Sequence, residues 1–261
     1  MRNFFLKKLS WIEDLTGAWI FYSILPNLHF CEPKFDRIAR FAPVIGIVIG
    51  SLQSLLWLIL NKFHWPKEAC VILAIALGAW LTGGLHIDGL MDTADGLAAG
   101  KKRCLKAMRD STVGAGGVQA LIITLLIQIA CLMKLGNLSI YILPIATFWG
   151  RYAPILAIEK FSYLHPSGTG SFHREGWKGF LNESKPTFIS LVIIITLLHV
   201  SSVSINSILM VGLILCIPIT LTIPYLLGKK LGGHSGDSYG ASVVLVETAI
   251  MILFSILFQA T

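Results

Sequence analysis

Ser207–Leu227, SILMVGLILCIPITLTIPYLL, is a run of 21 residues without a charged side chain. A helix needs about 20 mostly apolar residues to cross the hydrocarbon core of a bilayer, so this stretch decides the class of the protein. Working outward, runs of similar character occupy 41–60, 69–85, 113–133, 138–158, 187–204 and 239–260. They mostly lack the polar stripes that a water-soluble bundle would carry at helical spacing. The whole chain is 55% hydrophobic and only 13% charged, against roughly 25% charged residues in soluble domains. The fold class expected is all-α, a polytopic membrane helix bundle of about seven transmembrane helices. The short run 69–85 ends in Thr82-Gly83-Gly84, which predicts an irregular lower edge.

Residues 1–40 mix charges with Trp11, Trp19 and Phe21 and lack the compact apolar core and small-residue cleavage site of a signal peptide. They read as a cytoplasmic or interfacial segment with an amphipathic helix over roughly 10–25; residues 41–261 read as a single integral membrane domain. The net charge of +7 invites a nucleic-acid reading, but its distribution argues against one. Alternate connections between spans carry 17 Lys and Arg on one side and 3 on the other, with Arg151 inside a span. The positive-inside rule places the rich side, and the N-terminus, in the cytoplasm, which predicts a multi-pass membrane protein. The five cysteines are widely spaced and form no Cys-x-x-Cys, so they read as small apolar filler and not as a zinc site or disulfide framework.

Four polar, glycine-rich stretches fall on the cytoplasmic side: 83–97, 109–117, 167–171 and 231–240. Their shared face predicts one shared site. In the first, Asp88, Asp92 and Asp95 stand at i, i+4 and i+7, within an arc of about 60° on a helix. Three like charges so placed repel, and near a bilayer the cost rises. A divalent cation removes the repulsion, and oxygen-only ligands suit Mg²⁺, or alternatively Mn²⁺. Gly89 and Gly96 are expected to let a bulky phosphorylated ligand approach the backbone. The plain alternative is a polar helix end capped by aspartate.

In the last stretch, backbone N–H groups around Gly236 would suit a phosphate. Asp237 reads either as a further metal ligand or as the N-cap of the seventh span. Glu247 and Arg151, both inside spans, read as functional groups or as a buried structural pair. Arg109 and Lys106 would suit a nucleotide's negative charge. His86 points away from the aspartates on a regular helix and reads as a base or as a local hydrogen-bonding group. The other histidines show no metal spacing.

The run Gly83-Gly84-Leu85-His86-Ile87-Asp88-Gly89-Leu90-Met91-Asp92-Thr93-Ala94-Asp95-Gly96-Leu97 closely resembles the signature of the cobalamin synthase family, the adenosylcobinamide-GDP ribazoletransferases. Met108-Arg109-Asp110-Ser111 with Gly114 and Gly117, and Leu231-Gly232-Gly233-His234-Ser235-Gly236-Asp237 with Gly240, Ala241 and Glu247, resemble later segments of it in the same order. Arg40–Gly46 also fits. The chain departs from the pattern before Pro26 and at Thr112, His165 and Val244.

The resemblance implies that adenosylcobinamide-GDP is joined to α-ribazole or its 5′-phosphate, releasing GMP, with Mg²⁺ as cofactor. Asp88, Asp92, Asp95 and Asp237 would be catalytic residues and metal ligands, with Asp95 the suggested base. Arg109, Asp110, Ser111, Arg151, His86, Gly236 and Glu247 would bind substrate or phosphate. The implied partners are the two substrates and membrane lipid; no nucleic acid is expected, and a homo-oligomer is left open.

Two other readings compete. A CDP-alcohol phosphotransferase acting on lipid shares the aspartates on membrane helices, but its wider Asp-Gly…Ala-Arg…Gly…Asp…Asp spacing is absent. A small-molecule transporter would use Arg151 and Glu247 along a midplane path, whereas here the polar motifs gather at one face.

Overall fold

The computed structural model describes residues 2–27, 31–164, 173, 176–200 and 206–258, the side chains of 2–9, 197–200 and 206–209 excepted. The glycine-rich stretch 167–171 and His165 lie outside the described residues. Among those described, the chain is helical with no strand, apart from one isolated bridge between Tyr163 and His234.

Helix α1 spans Arg2–Tyr22, and a short 3₁₀ turn at Ile38–Phe41 leads into α2, Ala42–Lys62. Then come α3 (Lys67–Leu81), α4 (Leu85–Ala98), the short α5 (Cys104–Ala107), α6 (Ala115–Leu135) and α7 (Ser139–Lys160). The chain continues through α8 (Phe180–Val200), α9 (Asn206–Leu231) and α10 (Gly236–Leu257). Each expected apolar run falls in one of these helices. The run 187–204 extends past Val200 into residues outside the described set, and 69–85 stops short at Leu81.

By length and composition, four helical stretches among the described residues are able to cross a membrane, or five if the bent α3–α4 pair is one span. One of the four, Ala115–Lys160, is 46 residues long. As a straight helix it would reach roughly 69 Å, more than twice the ~30 Å hydrocarbon core. It folds back at Gly136, whose φ of 55° and ψ of −130° leave the helical region. The start of α6 therefore meets Asp95 through Gly117, while the end of α7 packs Ile158 with Tyr239. Both contacts lie at the level where α10 begins.

Helix α7 is buried along most of its length and forms the axis of the bundle, packed by α2, α9 and α10. Small residues let it approach α2: a Cβ on Gly46 would lie 2.4 Å from the Thr147 carbonyl oxygen, and one on Gly50 2.5 Å from Pro144 Cα. Pro144 has no N–H to give the Ile140 carbonyl, and the Ser54 hydroxyl donates to that oxygen instead at 2.7 Å. In a membrane, an orphaned backbone group must be met from inside the protein.

Helix α1 shares a core with this bundle. Ala18 and Tyr22 pack with Ile38, Phe41, Ile45 and Leu81, and the buried Asp14 carboxylate pairs with Arg40. All five cysteines are free, four of them buried, as apolar filler requires.

Candidate active site

The chain turns by 89° between α3 and α4, a bend made by Gly83 and Gly84 with φ of 60° and 75°. Side chains with a Cβ rarely adopt such angles. As a result α4 runs nearly at right angles to α3, at the end of the bundle where α10 begins. Asp88 is exposed, while Asp92 and Asp95 are half-buried.

Helix α4 rests directly on the first turn of α10. A Cβ on Gly89 would lie 2.5 Å from the Asp237 carbonyl oxygen and 3.1 Å from Gly240 Cα. This overturns the expectation that Gly89 clears a path for ligand: its bare backbone is occupied by α10. Gly96 is likewise filled, by Met108 Cγ at 2.3 Å from a built Cβ. The two glycines are packing contacts, and the first brings Asp237 into the company of Asp88 and Asp92.

That company has an electrostatic signature. Burial, followed by the charges of Asp88, Asp237 and Asp95, pushes the Asp92 carboxyl up to about 6. Asp95 is held differently. Its Oδ2 accepts the Gly114 N–H and its Oδ1 the Gly117 N–H, both at 2.7 Å. The third aspartate of the stripe thus closes the N-terminus of α6, a role invisible in the i, i+4, i+7 spacing.

The N-cap of α10 is Ser235, which forms a capping box with Ser238. Asp237 sits in the first turn, and its Oδ2 accepts the Ser235 hydroxyl at 3.2 Å. The preceding loop is locked by His234. Its Nδ1 bonds Ser238 Oγ and its Nε2 the Pro224 carbonyl, each at 2.9 Å, and burial lowers its pKa to about 4. The Gly236 N–H donates to the Tyr163 hydroxyl at 3.3 Å.

Below α4 lies a cavity of about 300 Å³. Asp88, Gly236 and Asp237 are on its polar side, and His86 and Arg151 line it from within the protein. The aromatic walls are Phe21 and Tyr22 from α1, His173, and Tyr239 from α10. Arg151 is only 3% exposed; its Nη1 donates to Glu247 Oε1 at 2.6 Å and to the Thr147 carbonyl at 3.2 Å. Glu247 is therefore paired, and it faces a second cavity of about 60 Å³ that Gln53, Thr124 and Gln128 also line. His86 is kept neutral chiefly by burial and secondarily by Arg151, which hold its pKa well below the usual value.

The structure thus gathers Asp88, Asp237, Gly236, His86 and Arg151 around one space, with Asp92 adjoining. Arg109, Asp110 and Ser111 lie apart from that cavity, exposed on the connection between α5 and α6. There Asp110 accepts the Thr112 N–H at 3.0 Å and the Thr112 hydroxyl at 2.7 Å. The aromatic wall went unread in the sequence, because Tyr22, His173 and Tyr239 belong to three distant segments with no shared spacing.

Among the described residues, no three His, Cys, Asp or Glu side chains converge as a complete metal cage. Magnesium does not need one, since one or two carboxylates plus substrate phosphates suffice.

A family model described as cobalamin-5-phosphate synthase matches residues 14–255. A Prochlorococcus marinus protein called adenosylcobinamide-GDP ribazoletransferase is 52% identical over 255 residues, which cover 97% of this chain and 98% of the relative. A protein of the same name from a second Prochlorococcus marinus strain is 53% identical, over 96% of this chain and 98% of its own. One from Trichormus variabilis is 34% identical, over 94% and 97%. No solved structure matches. A match that runs almost from end to end, through the aspartates of α4 and the first turn of α10, places this chain in the cobalamin-5-phosphate synthase family.

Proposed function

We propose that this protein joins adenosylcobinamide-GDP to α-ribazole, or to its 5′-phosphate, and releases GMP, the step that assembles the nucleotide loop of cobalamin. The observation that carries the proposal is the meeting of Asp88 and Asp237 at one cavity with the buried Arg151. Carboxylates from two helices beside a desolvated guanidinium suit a site where a diphosphate is handled through a cation and a fixed positive charge.

The oxygen-only set of Asp88 and Asp237, with Asp92 adjoining, fits a hard divalent cation of the Mg²⁺ class. Bound there, such a cation supplies neutralisation of the charge that builds on the diphosphate. The chain's own groups perform the rest. Arg151, held by Glu247 and Thr147, keeps a positive charge at the inner end of the cavity. A ribose hydroxyl attacks the phosphorus nearer the corrinoid, a new P–O bond forms, and the P–O bond to GMP breaks. The hydroxyl proton goes to the Asp92 carboxylate, which adjoins the cavity and, unlike Asp95, caps no helix. Asp95 is unsuited to that role, because both of its oxygens are engaged by α6.

We place this face in the cytoplasm of a prokaryotic inner membrane, on the strength of the Lys and Arg asymmetry between connections. Purified protein should release one GMP per corrinoid product, only with divalent cation present. Asp92→Asn should lower turnover by about three orders of magnitude while the protein still inserts in the membrane. Release of CMP from a CDP-linked lipid, with none of GMP, would overturn the assignment.

A further inference from the structure

Away from Asp88 and Asp237, the 300 Å³ cavity is furnished for a flat ring. Phe21 and His173 meet edge to face with centroids 5.9 Å apart, and His173 meets Tyr239 at 6.4 Å and 78°. Tyr22 faces His86 at 6.4 Å. Between these rings the lining is aliphatic: Ala39, Ala42, Pro154, Ile158 and Val243. Besides Asp88, Gly236 and Asp237 on its polar side, the cavity is lined by His86 and Arg151, which also border the 60 Å³ space. Arg151 Nε and His86 Nε2 are buried and have no hydrogen-bond partner among the described residues. A buried donor left without an acceptor is costly, and in native structures such a group calls for an explanation.

Resting on the reaction proposed above, we infer that this cavity seats the heteroaromatic base of the acceptor nucleoside, with a ring nitrogen accepting from the Arg151 Nε–H. The aromatic walls would stack on its plane. The nucleoside's ribose would then point toward Asp88 and Asp237, where the attack occurs. The other aromatic base of the reaction, guanine, fits this place poorly. It belongs to GMP, a charged leaving group that must return to water, whereas the cavity is largely apolar and enclosed by helices. The corrin ring is too large for about 300 Å³ and must stay outside.

Three measurements test this assignment. In Tyr22→Leu, which keeps an apolar wall but removes the ring, KM for α-ribazole should rise about tenfold, and KM for adenosylcobinamide-GDP should stay within about twofold. The reverse split would make the cavity a guanine site and end the proposal. With the unaltered protein, an indole riboside lacking the ring acceptor nitrogen should compete about tenfold more weakly than α-ribazole; equal competition would remove the Arg151 contact. An azido-benzimidazole riboside should photolabel peptides that contain Tyr22 or Tyr239 on the wild-type protein, and labelling confined to other segments would also refute the seat. This last measurement needs no turnover. Labelled Tyr22 or Tyr239 without any GMP release would sink the proposed reaction while leaving the base-binding cavity standing.

Discussion

The Gly117 N–H donates to Asp95 Oδ1 at 2.7 Å across the gap between α4 and α6. With the matching bond from Gly114 to Oδ2, it makes Asp95 a cap for the start of α6. Removing a capping side chain costs about 0.5–2 kcal/mol. Asp95→Ala should therefore lower the unfolding free energy in detergent by that amount. Asp95→Asn, which keeps one acceptor, should lose less and retain turnover within about tenfold of wild type. If Asp95→Asn were as inactive as Asp92→Asn, Asp95 would belong to the chemistry after all.

Gly89 and Gly96 sit on the same helix, and the same substitution should affect them differently. A Cβ at Gly89 meets the backbone of Asp237 and Gly240, which has little freedom to yield. Gly89→Ala should cost about 1–3 kcal/mol and separate Asp237 from Asp88, with a matching loss of activity. A Cβ at Gly96 meets the buried Met108 side chain, with the Cys104 carbonyl oxygen at 3.0 Å. A side chain yields more readily than the backbone that faces Gly89, and alanine improves helix propensity by about 1 kcal/mol. Gly96→Ala should lose less stability than Gly89→Ala. Parallel melting curves of the two variants decide the matter.

The Arg151–Glu247 pair, 2.6 Å apart, lies among spanning helices. Breaking such a pair from one side leaves a lone buried charge and costs about 3–5 kcal/mol. Glu247→Gln and Arg151→Met should each destabilise by about that much. The double variant should lose less than the sum of the two, because no uncompensated charge remains. Additive losses in denaturant titrations would show that the two side chains do not depend on each other.

His234 gives the fold an acid limit. In the unfolded chain its ring takes up a proton near its ordinary value of 6.5; in the folded protein, burial delays this to about 4. Its contribution is therefore complete above about pH 6.5 and falls as pH drops toward 4, by up to ~1.4 kcal/mol per pH unit across that window. Melting temperature in detergent should fall between pH 7 and 5, and by less in His234→Gln. An unchanged pH slope in that variant would place the acid sensitivity elsewhere.

Asp92 works in the opposite sense. Its folded-state pKa, raised to about 6 from the ordinary 3.8, means that the ionised form opposes folding above about pH 6 and is relieved as pH falls. A divalent cation at the aspartates should relieve the same repulsion. Mg²⁺ should accordingly raise the melting temperature at pH 7.5 more than at pH 5, and Asp88→Asn should weaken the effect. A shift that is equal at both pH values would mean that the ion binds elsewhere.

The membrane class was legible because a bilayer imposes a length and a composition that survive in the chain as uninterrupted apolar runs. The stripe of Asp88, Asp92 and Asp95 was legible because helical periodicity is local. Its division of labour was not. Asp95 acquired its role as a cap only through Gly114 and Gly117, 19 and 22 residues away. Gly89 and Gly96 looked like open space in one dimension and proved to be filled by Asp237 and Met108 in three. The substrate role expected of Arg109, Asp110 and Ser111 likewise depended on where their connection would lie, and it lies outside the cavity.

By itself, the order of residues determined that this chain is a helical membrane protein with acids gathered on one short helix, since both properties arise from neighbours within a turn or a span. Only the folded bundle decided which acids share a cavity, that Arg151 lies beneath them, and that Tyr22, His173 and Tyr239 wall the space. Those relations are made by helix packing between distant segments, and no local pattern encodes the distance between two side chains that meet only when α4 is laid across α10.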